Sequence, residues 1–309
     1  MKNNFRTIYS ICALSLLLGN GLFAQTDPSY RQYRFNALTL NPAQAGANSY
    51  NDVSVLGSQY WVGMPGAPQT ATISGNYKLF DNFGLGGTVV ADENGPVHSI
   101  NASIVGAYHL KLTSKLKLSV GLKMSAINYN VITSELATTT AGDPDMLENL
   151  TTGLSYNAGF GLLLYSKKFY VGFSKPRVAA MRFNRMDMSM YVDKKSGYIA
   201  YTGGDFKLSN KVEFRPSVMT MFGNGGPLSL DFNALFTLNN LLDFGATYHL
   251  KGGVGAIIGI NIKDKLYLGY AYSYPLSRLN TVSTQSHEIG LRLKFGKEAK
   301  SADSPRFFN

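Results

Sequence analysis

From Tyr50 onward the chain alternates apolar and polar residues with a period of two. In 228–237, Leu228, Leu230, Phe232, Ala234 and Phe236 share one phase, and Ser229, Asp231, Asn233, Leu235 and Thr237 share the other. In 287–295, Ile289, Leu291, Leu293 and Phe295 oppose Glu288, Gly290, Arg292 and Lys294. In 116–124, Leu116, Leu118, Val120, Leu122 and Met124 oppose Lys117, Ser119, Gly121 and Lys123. Strand side chains point to alternate faces, so each segment predicts a strand with one apolar and one polar face.

Six connections are very short: LFDNFGL, LTSKLKL, LYSKKFY, LSNKVEF, LNNLLDF and IKDKLYL, each two or three polar residues between apolar ones. That is a hairpin signature. Between them lie connections at 63–68, 92–97, 131–153, 175–197, 223–227, 251–252 and 275–286, several much longer. The alternation predicts fourteen strands, at 50–62, 69–79, 83–92, 98–111, 115–130, 153–166, 168–174, 196–208, 211–222, 227–238, 241–250, 253–262, 265–274 and 286–296. Short turns on one rim and longer loops on the other characterise outer-membrane barrels, whose turns are periplasmic and whose loops are extracellular. A soluble β-sandwich alternates as well. Apolar faces on nearly every strand favour the barrel, as do ring side chains near strand ends (Tyr60, Trp61, Tyr267, Tyr272, Tyr274) and a last strand ending on Phe295. Closure also leaves no unpaired edge in lipid. The expected fold is all-β: a 14-stranded antiparallel transmembrane outer-membrane β-barrel with a short N-terminal periplasmic segment.

The first residues read as an export signal. Lys2 and Arg6 precede an apolar run from Ile8 to Leu18, with cleavage expected after Ala24. Cys12, the only cysteine, lies in that run, so the exported chain carries no disulfide, thiol chemistry or cysteine metal site. Removing the leader lowers the net charge from +10 to +8, 27 basic residues against 19 acidic. The lysines are scattered through turns and strands of an exported chain, which argues against nucleic acid. No later run of about 18 apolar residues could span a membrane as a helix. The expected organisation is 1–24 signal peptide, 25–49 N-terminal periplasmic or plug segment, 50–296 transmembrane barrel, and 297–309 periplasmic C-terminal tail.

Residues 27–46, DPSYRQYRFNALTLNPAQAG, fit neither period. Their aromatics and amides can dock on a surface but cannot make a core. An even strand count puts this segment on the short-turn side. There it folds into the lumen as a plug, or lies across the mouth and presents its rings to a partner. Candidate partner-binding residues here are Tyr30, Gln32, Tyr33, Phe35, Asn36, Asn41 and Pro42. A second set lies in the fourth loop, where Met181, Met186, Met188 and Met190 stand among Arg182 and Arg185. Methionine adapts to irregular partner surfaces, although Met186–Met190 also alternates as an extended strand would.

Enzymatic signals are missing. His98, His109, His249 and His287 have no zinc-binding spacing, and no GxSxG or phosphate-binding loop occurs. Gly252-Gly253-Val254-Gly255 precedes a strand, which suits close backbone packing. Asp143, Asp145 and Glu148 in the third loop lack EF-hand spacing. No cofactor, metal or small-molecule substrate is expected.

Several ordered motifs carry a family likeness. Asp27-Pro28, Gln32-Tyr33, Phe35-Asn36 and Asn41-Pro42-Ala43 are followed by Gln59-Tyr60-Trp61-Val62-Gly63 and Pro65-Gly66-Ala67-Pro68. Later come Phe169–Ser174, Pro227–Asp231, His287-Glu288-Ile289 and Ser304–Phe308. Across 25–308 the chain resembles the PorP/SprF family, membrane proteins of the type IX secretion and gliding machinery. The resemblance implies a fourteen-stranded outer-membrane barrel without enzymatic activity. It would support export or surface anchoring of a large protein with a C-terminal sorting domain, or link the periplasmic ring to the outer membrane. Expected partners are outer-membrane lipid, type IX secretion components and an exported sorting-domain protein. The alternative reading is a small-solute diffusion channel.

Overall fold

The computed structural model describes residues 36–133, 149–178, 197–223, 228–250, 252–276 and 285–296. The strands are β1 Asn51–Gln59, β2 Gln69–Phe80, β3 Phe83–Asn94, β4 Val97–Lys111, β5 Lys117–Val131, β6 Leu150–Tyr165 and β7 Phe169–Lys175. Next is β8, in two pieces, Tyr198–Gly204 and Phe206–Lys207. Then follow β9 Val212–Phe222, β10 Ser229–Leu238, β11 Leu242–His249, β12 Gly253–Ile262, β13 Leu266–Pro275 and β14 Ser286–Phe295. Each pairs antiparallel with the next. β14 returns to β1 in unbroken register from Asn51↔Phe295 to Gln59↔His287. The result is the expected closed barrel of fourteen strands, with strand ends within about three residues of the sequence reading.

The break in β8 was not foreseen. It falls at Asp205, whose amide donates to Lys168 O (2.8 Å) while its carboxylate lies 3.7 Å from Arg215 Nε of β9. Opposite the break on β9 stands Pro216, which has no N–H to give the ladder.

The two faces follow the alternation. Outward positions are large and exposed, among them Ile104 at 66%, Leu122 at 67% and Met124 at 66%. Inward positions are small, polar and buried: Ser54 bonds Ser74 (2.7 Å) and Thr88 bonds Ser103 (3.0 Å) across neighbouring strands. Unburied apolar side chains on a sheet exterior are stable only against lipid, so this surface is the membrane band. The short turns all sit at one rim. At the other rim, connections reach from Val131 to Leu150 and from Lys175 to Tyr198. There the outward rings of Phe173, Tyr198 and Phe222 stack at 5.8 Å spacing across β7, β8 and β9. Ring belts at the membrane interface are usual for such barrels.

Inside, large residues lie flat on strand glycines. A side chain on Gly172 would collide with Tyr201, on Gly203 with Tyr170, and on Gly259 with Tyr267. Gly253 and Gly255 likewise leave no room beside the backbone of Tyr274 and Tyr272, which is the close packing expected of that glycine run.

Candidate functional site, a segment seated in the lumen

The described chain begins inside the barrel. α1, Ala37–Leu40, is a single turn, followed by a short 3-10 helix, Pro42–Gln44. Neither could persist alone, because one turn fixes several dihedrals for very few hydrogen bonds. The barrel wall supplies what they lack. From Ala43 through Ala47 every residue is buried, and Leu38 and Leu40 are 4% and 6% exposed.

The seat is a row of small residues in register. Gly84 of β3 pairs with Ala107 of β4, Ala107 with Gly121 of β5, Gly121 with Gly161 of β6, and Gly161 with Ser174 of β7. The plug backbone runs along this row. Ala45 O lies against Gly84, Ala43 N against Gly121, and the Asn41 side chain against Gly161. A Cβ on Gly121 would stand 2.2 Å from Ala43 N, and one on Gly84 would stand 2.1 Å from Ala45 O. Gly46 has φ +68°, a conformation that favours glycine, and its own Cβ would lie 2.5 Å from Gly84 Cα. Small residues on both partners let two backbones touch.

Hydrogen bonds then fix the register. Three plug carbonyls accept from wall side chains: Leu40 O from Ser174 Oγ (2.6 Å), Ala43 O from Ser119 Oγ (2.8 Å) and Ala45 O from His109 Nε2 (2.8 Å). A carbonyl only accepts, so His109 carries its proton on Nε2. Its Nδ1 then accepts from Tyr165 OH (2.9 Å). Gly46 N donates to Asn76 Oδ1 (2.7 Å). Asn41 is the centre. Its Oδ1 accepts from Ala43 N (2.8 Å) and caps the 3-10 helix, while its Nδ2 donates to Leu162 O (3.0 Å) and Tyr201 OH (3.0 Å). Gln44 Nε2 donates to the same Tyr201 oxygen (2.6 Å). Pro42 starts the short helix, where a missing N–H costs nothing.

Residues 36–48 lie within the barrel. Asn36, Asn41 and Pro42, expected to face a partner, are buried against the barrel itself, at 1% and 0% exposed for the two asparagines. The physical reason is that the wall offers hydrogen-bond partners to Leu40, Asn41, Ala43, Gln44, Ala45 and Gly46. Tyr30, Gln32, Tyr33 and Phe35 lie outside the described residues, as do Met181, Arg182, Arg185, Met186, Met188, Met190 and the acidic group Asp143, Asp145 and Glu148. Sequence reasoning missed the seat: Gly84, Gly121, Gly161, Ser119, Ser174, His109 and Tyr201. Its signal was available in the glycines and serines of the polar phase.

A second lumenal constellation stands at the short-turn end. Arg215 is fully buried, with Glu213 Oε2 at 3.0 Å, Asp205 Oδ1 at 3.7 Å and Asp243 Oδ1 at 3.9 Å. Thr237 Oγ1 donates to Asp243. The remaining histidines take varied posts: His249 pairs with Asp231 in the lumen, His98 stands 3.7 Å from Glu93, and His287 Nδ1 meets Tyr270 OH (2.7 Å) on the outer face.

Three solved barrels illustrate the shape. The outer membrane protein Omp33 of Acinetobacter baumannii is 13% identical, with a TM-score of 0.48, over 81% of this chain and 100% of that one. The toluene transporter TbuX of Ralstonia pickettii is 13% identical, with a TM-score of 0.48, over 85% and 94%. The toluene transporter TodX of Pseudomonas putida is 10% identical, with a TM-score of 0.48, over 89% and 99%. Likeness at this level carries no argument about activity. Among curated proteins no match is found. The family described as type IX secretion system membrane protein PorP/SprF matches residues 22–293, nearly the whole chain and all but the end of β14, and the chain belongs to that family.

Proposed function

We propose that this outer-membrane barrel is a non-enzymatic scaffold of the type IX secretion machinery. In this reading it supports export or surface anchoring of a large sorting-domain protein, or links the periplasmic ring to the outer membrane. The observation that carries the reading is the seated segment Asn36–Asn48. An element bonded to the wall through Asn41, His109, Ser119 and Ser174 occupies lumen that free diffusion would use, which supports anchoring over permeation. A scaffold gains from it, because the segment joins the chain before Asn36 to a rigid membrane anchor. Within it, Tyr30, Gln32, Tyr33 and Phe35 remain the residues proposed to meet the machinery, and the Met181–Met190 loop the surface proposed to meet the exported protein.

The test uses two readouts on outer membranes from cells making the intact chain or a chain lacking residues 27–46. Affinity capture followed by mass spectrometry should recover secretion components with the intact chain and lose them with the deletion. Planar-bilayer recordings should show no steady conductance from the intact barrel. A steady open conductance from the intact chain, with unchanged surface delivery of sorting-domain proteins when the gene is deleted, would establish the diffusion channel instead.

A further inference from the structure

The outer face of β1–β4 and β14 is not a uniform apolar wall. At its long-loop end, outward residues form a polar row in register: His287 pairs with Gln59, Gln59 with Gln69, Gln69 with Glu93, and Glu93 with His98. Just beneath, in the next outward row, Ile289, Gly57, Ala71 and Ala91 are neighbours. Three of these four are small, so the surface falls away under the polar lip. The recess there has a volume of about 360 Å³.

A second recess lies farther from the long-loop end, sharing β2 and β3 with the first and extending across β4 to β6. Its floor is Gly75 and Gly87, which pair with one another, and Ala102 and Ala126, which also pair. Ile73, Val89, Ile104, Met124 and Tyr156 form its walls, and its volume is about 480 Å³. From Ala71 to Gly75 the strand advances four residues, or about 13 Å. Along β2 and β3, polar head space and apolar tail space therefore lie on either side of the Ile73–Val89 pair, at about the separation of a headgroup from mid-chain.

Those dimensions describe a lipid, and the lining chooses its head. Gln59, Gln69, Glu93 and His287 face the upper recess, and no lysine or arginine lines either one. Tyr270 occupies His287 Nδ1, which leaves Nε2 for the recess. Among the described residues a phosphate head would meet a carboxylate and no fixed cation. Sugar hydroxyls or an amino sugar would find two amides, an imidazole and a carboxylate acceptor. The long-loop rim is the extracellular side, where the outer leaflet of this membrane is built from glycolipid. We propose that the β14–β4 face holds one glycolipid of the outer leaflet, its sugar head on Gln59, Gln69, Glu93 and His287 and an acyl chain lying over Gly75 and Gly87. The site is independent of the lumenal plug, so its test does not share the fate of the scaffold reading.

Purified full-length protein in detergent would be mixed with equal amounts of monoglucosyl diacylglycerol, phosphatidylglycerol and phosphatidylethanolamine, and bound lipids counted by native mass spectrometry. The glucosyl lipid should be retained at one per barrel in preference to both phospholipids. Glu93→Gln with Gln69→Ala should lower its retention about tenfold, because hydrogen bonds to a charged group are among the strong ones. Gly75→Leu with Gly87→Leu should abolish it. At Gly75 an added Cβ meets nothing within 4 Å, and at Gly87 the nearest atom is 3.4 Å away, so the filled barrel still folds. Equal retention of the phospholipids would overturn the sugar assignment. Retention unchanged in the filled variant would overturn the site.

Discussion

A single methyl group should unseat the plug. In Gly161→Ala the new Cβ would stand 1.9 Å from Asn41 Oδ1 and 2.9 Å from Pro42 Cδ. An unstrained contact needs about 3.5 Å, so Asn41 must retreat by roughly 1.5 Å. That movement breaks its bonds to Ala43 N, Leu162 O and Tyr201 OH, now at 2.8–3.0 Å. Overpacking costs about 1–3 kcal/mol, and a buried polar group left without a partner costs about 1–3 kcal/mol more. Against this, alanine improves on glycine in a strand by at most about 1 kcal/mol. The balance is about 1–5 kcal/mol, and at about 2 kcal/mol the undocked population rises some thirtyfold. The assay uses one introduced cysteine. With Cys12→Ser and Ala47→Cys, the only thiol sits at a position 3% exposed, reachable by maleimide when the plug leaves. Labelling should accelerate about thirtyfold in Gly161→Ala. It should stay slow in Gly75→Ala, whose Cβ meets nothing. If both variants label at one slow rate while their barrels remain intact on heat-modifiability gels, the row of small residues is not what seats the plug.

Tyr201→Phe removes the oxygen that Asn41 and Gln44 both approach, so the plug should loosen by about 1–3 kcal/mol per stranded amide, visible in the same labelling assay. Arg215→Met leaves Asp205, Glu213 and Asp243 facing one another, and the barrel should lose about 3–5 kcal/mol in urea unfolding, with Asp243→Asn in the same chain recovering part of it. Unchanged unfolding would mean that solvent already screens the cluster. Pulling the chain from a handle fused ahead of Asn36 should release the plug in small successive steps, since Leu40, Asn41, Ala43 and Ala45 are bonded one after another along the row. One large all-or-none step in single-molecule force records would contradict that order.

The barrel was legible because its physics is local. Alternation in 228–237 and 287–295 is written residue by residue, and the pairing of short turns with longer loops sets the strand count. The break at Asp205 was not legible. It lies across from Pro216 and Arg215 of β9, and the proline, which has no N–H for the ladder, is brought opposite it only by the register between the two strands. The one-turn helix Ala37–Leu40 was hidden for a similar reason: its stability belongs to the wall rather than to its own sequence.

The seat shows what alternation leaves out. Gly121 could be assigned to the polar face of its strand, but polar face meant only lumen. That Gly84, Ala107, Gly121, Gly161 and Ser174 fall in one row is a property of register across five strands, and register follows from turn geometry. The complementary half was in view as Pro42-Ala43-Gln44-Ala45-Gly46-Ala47, a run whose smallness has no use on a surface. Its sequence left two uses open, a plug in the lumen or a surface for a partner. The structure gives it a nearer one, since a backbone stripped of side chains fits a wall stripped of them. The amide of Asn41 then fixes the register of that fit, because its Nδ2 meets Leu162 O and Tyr201 OH of the wall together.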